Sequence, residues 1–261
     1  MSSDKPDNLP SYTEDMVQSI KPPRITNIVA TLHFQPDPSL PVPPELERIL
    51  NDDLEFFQNG MKVERDGTIR DCIPLHYFAM NVKNVEYSPK HGRNKGFSGA
   101  IFRYTKRKHT YLVFSSGKVV INGGLKQMNQ IPGAVNIIKK ILSKLPATRH
   151  LQLLTSQVTN IVATSTVPTK IAIHKLSTLV QSLPTIREII TVSYDPDVFS
   201  GARVHFRSLD GVPTSKSRGR PYAAVFSNGT FFLTGNKSVE QLYKSHSVLV
   251  GILVTFRDLH V

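Results

Sequence analysis

The sequence predicts an α+β protein made of two copies of one unit, and three observations point there. Short segments recur in the same order in both halves. Within each half a strand-like stretch leads to a helix-like stretch and then to more strands. Each half closes on a further helix. Asn27-Ile28-Val29-Ala30-Thr31 returns unchanged as Asn160-Ile161-Val162-Ala163-Thr164, and Tyr87-Ser88-Pro89 is echoed by Tyr194-Asp195-Pro196. Phe97-Ser98-Gly99-Ala100 returns as Phe199-Ser200-Gly201-Ala202, and Phe114-Ser115-Ser116-Gly117 as Phe226-Ser227-Asn228-Gly229. The matches predict a disordered tail over 1–23, a first repeat over 24–145 and a second over 146–261. A duplicated unit makes a pseudo-twofold molecule, which suits a ligand with an approximate dyad of its own.

The elements follow in chain order. Ile25 to Leu32 reads as a strand. Residues 35–72 interrupt the first repeat as an insertion. Its Pro36, Pro38, Pro41, Pro43 and Pro44 lead into Glu45 to Phe57, an acidic amphipathic helix with Leu46, Ile49, Leu50, Leu54 and Phe57 as its apolar set. That helix is expected to dock a partner or to cover part of the molecule; packing as decoration on its own chain is the alternative. Pro74 to Lys83 reads as a helix. Tyr111 to Phe114 and Lys118 to Asn122 flank a short Gly-containing turn, a hairpin. Pro132 to Leu145 reads as a helix whose proline sits in the first turn, where a missing N–H costs nothing. The second half repeats the order: strand Val158 to Ser165, helix Ile171 to Leu183, hairpin Ala223 to Phe226 with Thr230 to Thr234, and helix Val239 to about Val254. Ser208 to Pro221 is a Gly/Pro/Ser loop carrying Lys216, Arg218 and Arg220.

The first hairpin is apolar on both faces. Leu112, Phe114, Val120 and Asn122 share one face; Val113, Val119 and Ile121 share the other. An antiparallel sheet normally buries one face and wets the other, so the second apolar face needs either more protein or a ligand. Charge favours the ligand. Residues 1–72 carry 7 basic and 13 acidic side chains, whereas residues 73–261 carry 25 basic and 7 acidic. Such an excess implies a polyanion, because phosphate contacts release counterions. An apolar sheet face flanked by Lys and Arg suits the minor groove of a duplex.

Several functions are excluded. One cysteine, Cys72, permits no internal disulfide framework, which fits a reducing compartment. No apolar run reaches the length of a bilayer span, and the first residues lack a secretory core; a soluble, intracellular protein is expected. The nine histidines show no metal spacing. No phosphate-cradling glycine loop and no nucleophile elbow occur. No metal, cofactor or catalytic residue is therefore expected, and the chain does not read as an enzyme.

The segment Asn84-Val85-Glu86-Tyr87-Ser88-Pro89-Lys90, the hairpin Phe114-Ser115-Ser116-Gly117-Lys118-Val119-Val120 and the doubled Asn-Ile-Val together resemble both repeats of the TATA-box-binding protein family. The resemblance covers about 24–34, 73–146 and 156–257. It implies a saddle: two pseudo-symmetric repeats forming one curved ten-stranded antiparallel sheet, with helices on the convex face. It further implies that the concave face binds and bends DNA through the minor groove, while the convex face and ends meet transcription factors. Phe97, Phe114, Phe199 and Phe226 match the intercalating wedges. Asn27 and Asn160 match asparagines that donate to the groove floor, and Val29 and Val162 the valines beside them. Leu112 and Val120 line the same floor in the first half, and Lys118 and Arg103 match side chains that reach phosphates.

Departures from the family pattern are expected to shift sequence preference. Asn122 stands where the family has Thr, whereas the second half keeps Thr234. Ala224 and Phe232 replace a leucine and a valine, a compensating exchange if the two face each other across adjacent strands. Thr230 replaces a lysine. The second phosphate-reaching arginine aligns with His205 or Arg207, and Arg207 is taken as the DNA contact. Asp195, Asp197 and Val198 resemble the acidic turn that receives a TFIIB-like factor. Lys139, Lys140 and Lys144 resemble the basic helix face used for partners. The resemblance thus implies a nuclear, DNA-bending transcription initiation factor with TFIIA-like and TFIIB-like partners and the RNA polymerase machinery. The alternative is a scaffold of the same fold that does not bend DNA.

Overall fold

A computed structural model of the chain describes residues 20–51, 72–88, 97–182, 189–206 and 220–255. Residues 1–19 of the expected tail, the far part of the insertion with Leu54 and Phe57, the stretch Lys90 to Gly96, Leu183, Arg207, Lys216 and Arg218 lie outside the described residues. Among the described residues ten strands are present: β1 (Arg24–Pro36), β2 (Val85–Glu86), β3 (Ala100–Tyr104), β4 (His109–Val113), β5 (Lys118–Asn122), β6 (Leu151–Thr166), β7 (Ile189–Asp195), β8 (Phe199–Phe206), β9 (Tyr222–Val225) and β10 (Thr230–Asn236). They form one sheet in the order β2-β3-β4-β5-β1-β6-β10-β9-β8-β7. Five helices accompany them among the described residues: α1 (Pro44–Asn51), α2 (Leu75–Asn81), α3 (Ile131–Lys144), α4 (Ile173–Ser182) and α5 (Val239–Thr255). The chain divides into two compact units, Asn27–Thr159 and the described parts of Met1–Thr26 with Asn160–Val261.

In the first unit, two-residue alternation assigns the faces. Ile28, Ala30, Leu32 and Phe34 of β1 are buried. Cross-strand pairing puts Ala30 beside Ile121, Ile121 beside Tyr111 and Tyr111 beside Phe102, so one face of four strands forms a continuous core. Helices close over that face. Phe78 of α2 meets Phe102 edge-on at 6.5 Å between ring centroids. The Tyr111 hydroxyl donates to the Ala134 carbonyl of α3 at 2.9 Å. α3 is preceded by a single 3-10 turn, Met128–Gln130, closed by a Gln127/Gln130 capping box.

Two of the five apolar side chains expected on the acidic helix are described, both on α1. Leu46 and Ile49 are buried against Ala147, with Tyr77 of α2 packed beside them. These two leading apolar positions pack inside the first unit, while Leu50, Leu54 and Phe57 lie outside the described side chains.

The second unit repeats the plan. Ile161, Ala163, Leu233, Ala223, Val225 and Val204 are buried on one face. The α4 side covers part of it, with Ser177 Oγ donating to the Val192 carbonyl at 3.3 Å. On α5, His246 lies over Phe231 at 5.7 Å and within 3.1 Å of Ser165 Oγ. Strand β6 begins earlier than expected, at Leu151 rather than near Val158. Its added residues include Thr155, Ser156 and Gln157, all exposed, so no apolar alternation marks them.

Candidate nucleic-acid interface

Among the described residues the helix contacts above fall on one face of each unit, and the sequence-predicted residues gather on the opposite face. In the first unit, register pairs Thr31 with Val120, Val120 with Leu112, and Leu112 with Ile101. Val29, Ile101, Leu112 and Val120 are all half-buried, an apolar floor still open to solvent. In the second unit the same row runs Thr164, Phe232, Ala224 and Arg203. The expected exchange is therefore real: Phe232 faces Ala224 directly, and Ala224 is only 1% exposed beneath its neighbours.

Each row ends at a pair of phenylalanines. Phe97 and Phe114 meet edge-on at 5.6 Å and 64°, and Phe199 and Phe226 at 5.7 Å and 64°. Glycine makes these pairs possible. A Cβ on Gly99 would lie 2.9 Å from Phe97 Cε1 and 2.9 Å from the Val113 carbonyl oxygen. On Gly201 it would lie 2.9 Å from Phe199 Cε1 and 3.1 Å from Phe226 Cε1. The second ring of each pair leads into a tight turn. Phe114 N donates to the Lys118 carbonyl and Gly117 N to the Phe114 carbonyl, and Phe226, Thr230 and Gly229 repeat the pattern. Gly117 and Gly229 adopt φ of +80° and +81°, a region L side chains avoid. Phe97 remains 44% exposed, a large apolar ring held in water.

The two asparagines are oriented by backbone. Gly123 N donates to Asn27 Oδ1 at 3.2 Å, and Gly235 N donates to Asn160 Oδ1 at 2.7 Å. Fixing the oxygen turns each amide NH2 away from the turn as a donor. The halves then differ. Thr234 Oγ1 donates to Asn160 Oδ1 at 3.2 Å, which leaves the Asn160 NH2 out of that bond. Asn122 Oδ1 instead accepts from the Asn27 NH2 at 3.0 Å, so half of that donor is spent and Asn122 presents its own NH2.

Charge is placed unequally as well. Arg103 grips Glu86 with two hydrogen bonds of 3.0 and 3.1 Å. That bond, then the guanidinium charge, holds the Glu86 carboxyl below its ordinary range and raises Arg103 in turn. Lys118 Nζ stands 6.0 Å from the Phe114 ring centroid, and the Arg203 guanidinium 4.8 Å from that of Phe199. His205 occupies the repeat position of Arg103; burial, then the charge of Arg203, lowers its pKa.

A family model described as "Transcription factor TFIID (or TATA-binding protein, TBP)" matches residues 66–145 and 155–256. The chain belongs to the TATA-box-binding protein family. It is 32% identical over 185 residues to the TATA-box-binding protein-like 1 of Entamoeba histolytica, covering 70% of this chain and 74% of that protein. It is 28% identical to the TATA-box-binding protein of Schizosaccharomyces pombe, covering 72% and 70%. Among solved structures, Methanococcus jannaschii TBP superposes with a TM-score of 0.52 at 20% identity, over 91% of this chain and 99% of that one. The fold is therefore that of this family.

Of the DNA-contact candidates, Asn27, Val29, Phe97, Arg103, Leu112, Phe114, Lys118, Val120 and Asn122 lie on the helix-free side of the first unit. Asn160, Val162, Phe199, Phe226, Phe232 and Thr234 lie on that of the second. Arg207 falls outside the described residues. Asp195, Asp197 and Val198 form an exposed turn between β7 and β8, shaped by a 3.1 Å bond from Asp197 N to Asp195 Oδ1; Val198 is 70% exposed. Lys139, Lys140 and Lys144 are exposed along α3. Sequence reasoning missed Arg203. The signal was available: repeat alignment from Phe199-Ser200-Gly201-Ala202 sets it opposite Ile101, a charge in an apolar slot.

Proposed function

We propose that the chain is a promoter-nucleating factor that binds duplex DNA in the minor groove with the helix-free face of each unit and kinks it. The observation that carries this reading is a constellation built twice: a glycine-seated phenylalanine pair, an apolar row and a backbone-oriented asparagine. Each part has a groove-sized task. Apolar rows suit the sugar and base-edge floor, and amide donors meet the acceptors that every base pair shows there. Inserted rings unstack a step, and the resulting bend brings more protein surface onto the duplex. Lys118 and Arg103 suit the phosphate walls. The exposed Asp195–Val198 turn and the α3 lysines fit TFIIB-like and TFIIA-like partners and the polymerase machinery, and the setting is nuclear. No catalytic step is assigned.

Gel shift with circularly permuted fragments tests this directly. A bend that moves with the position of the site is expected, together with a log–log salt slope of about −0.9 for each phosphate engaged. Binding without a bend supports the scaffold alternative, and no binding at low salt overturns the reading.

A further inference from the structure

Arg203 is the one member of the second row that changes chemistry rather than size. Register gives its surroundings. Across β9 it faces Ala224, a methyl group where the first unit has Leu112, so its stem has room beside it. Across β7 it faces Ser193, where the first unit sets Glu86 against Ile101. No ion pair with a carboxylate holds it among the described residues, in contrast to Arg103. Its guanidinium instead sits 4.8 Å above the Phe199 ring, and the side chain is exposed. A planar cation resting on an aromatic face keeps its N–H groups directed outward in its own plane. His205, two residues along, supplies little competing charge at neutral pH because burial and Arg203 disfavour its protonation.

Resting on the DNA-binding reading above, we propose that Arg203 reads a base pair: with Phe199 at a base step, the guanidinium enters the minor groove beside the ring and donates to base-edge acceptors. The groove code then fixes what it prefers. An A·T pair shows only adenine N3 and thymine O2, both acceptors, whereas G·C adds the guanine N2 donor, which opposes an N–H group. Ile101, the repeat counterpart, has no donor. The preferred site is therefore asymmetric: one position beside the second-unit wedge requires A·T, and its mate beside the first-unit wedge does not.

Selection of duplexes from a random pool by the full chain locates that position. Affinity is then measured for A·T and G·C versions with wild type and with Arg203→Ile, the residue the other repeat already uses. Wild type is expected to favour A·T about tenfold at one end only, and Arg203→Ile to bind both versions with the weaker affinity. A cooperative thermal melt confirms that the variant is folded. A folded Arg203→Ile protein that keeps the tenfold preference overturns the inference, as does a wild type with equal affinity for both versions; the DNA-binding reading survives either result. A wild type that retains no duplex overturns that reading and this inference with it.

Discussion

The two helix-free faces share a frame and differ in what the frame holds. Gly99 and Gly201 seat ring pairs with the same 64° interplanar angle. Gly123 and Gly235 orient Asn27 and Asn160 through the same backbone donor. Between these anchors, however, Ile101, Leu112 and Val120 of one unit stand against Arg203, Ala224 and Phe232 of the other. The difference teaches which parts are mechanical. Positions that need a special φ or a close approach have stayed alike, because only glycine satisfies them. Positions that only have to fill a row have traded volume with their neighbours, large for small and small for large, so the row stays filled.

The largest test of that shared frame removes the rings. Phe97→Ala with Phe114→Ala, and separately Phe199→Ala with Phe226→Ala, are each expected to abolish one kink and leave the other. The loss in DNA affinity is about 1–3 kcal/mol per ring, by analogy with base stacking on aromatic side chains. Bend angles from circular permutation measure it. Equal bending in wild type and both double variants refutes the wedge assignment, and a loss in only one of them breaks the equivalence of the two wedges.

A smaller effect separates the rows. Ala224→Leu places the first unit's residue beneath Phe232, where Ala224 is already 1% exposed. Overpacking there costs about 1–3 kcal/mol in urea unfolding. Adding Phe232→Val is expected to recover most of it, a coupling of about 1 kcal/mol or more between touching residues. Additive losses would show that the two side chains do not share one space.

Much of this was legible in the sequence because repetition multiplies weak signals. A lone phenylalanine on a strand says little, but Phe97, Phe114, Phe199 and Phe226 fall at matched places beside matched glycines. The hairpins and the helices followed from periodicity and repeat alignment, and the Ala224–Phe232 exchange from the family resemblance. Apart from Arg203, which repeat alignment did mark, what escaped notice lacked either signal. The extension of β6 through Thr155, Ser156 and Gln157 is polar, so tertiary pairing rather than pattern makes it a strand. Leu46 and Ile49 showed that α1 has an apolar face, yet amphipathicity cannot say whether Ala147 or a foreign surface covers it. Glu86 looked like part of a motif, and only coordinates reveal that it holds Arg103.

The units also differ in buried imidazoles. Burial is the leading cause that lowers the pKa of His76, His109 and His150 in the first unit and of His205 and His246 in the second. A folded-state pKa below the ordinary 6.5 means that the unfolded chain takes up protons more readily. Stability is then full above pH 6.5 and falls as pH drops from 6.5 through the folded-state values. His109 and His150 are nearly inaccessible, and each leaves its Nδ1 without a partner among the described residues, so the first unit is expected to soften first. Urea midpoints at pH 7.5 and 5.5 measure the whole effect, and amide exchange resolves it by unit. A midpoint that holds or rises at pH 5.5 breaks the argument.

The smallest expected effect concerns the cation that is tied and the one that is not. Glu86→Gln removes the carboxylate that holds Arg103 but keeps an amide of the same size, and both side chains are solvent-exposed. Thermal stability should hardly move, because exposed pairs are screened and weak. DNA binding should gain, since the arginine no longer exchanges a carboxylate for a phosphate. The gain has a diagnostic form: a salt slope steeper by about 0.9, one more phosphate engaged. Ser193→Glu is the mirror experiment, setting a carboxylate opposite Arg203 and weakening the A·T preference at its position. If Glu86→Gln leaves the slope unchanged and Ser193→Glu leaves that preference unchanged, the difference in charge placement between the units has no bearing on how they hold DNA.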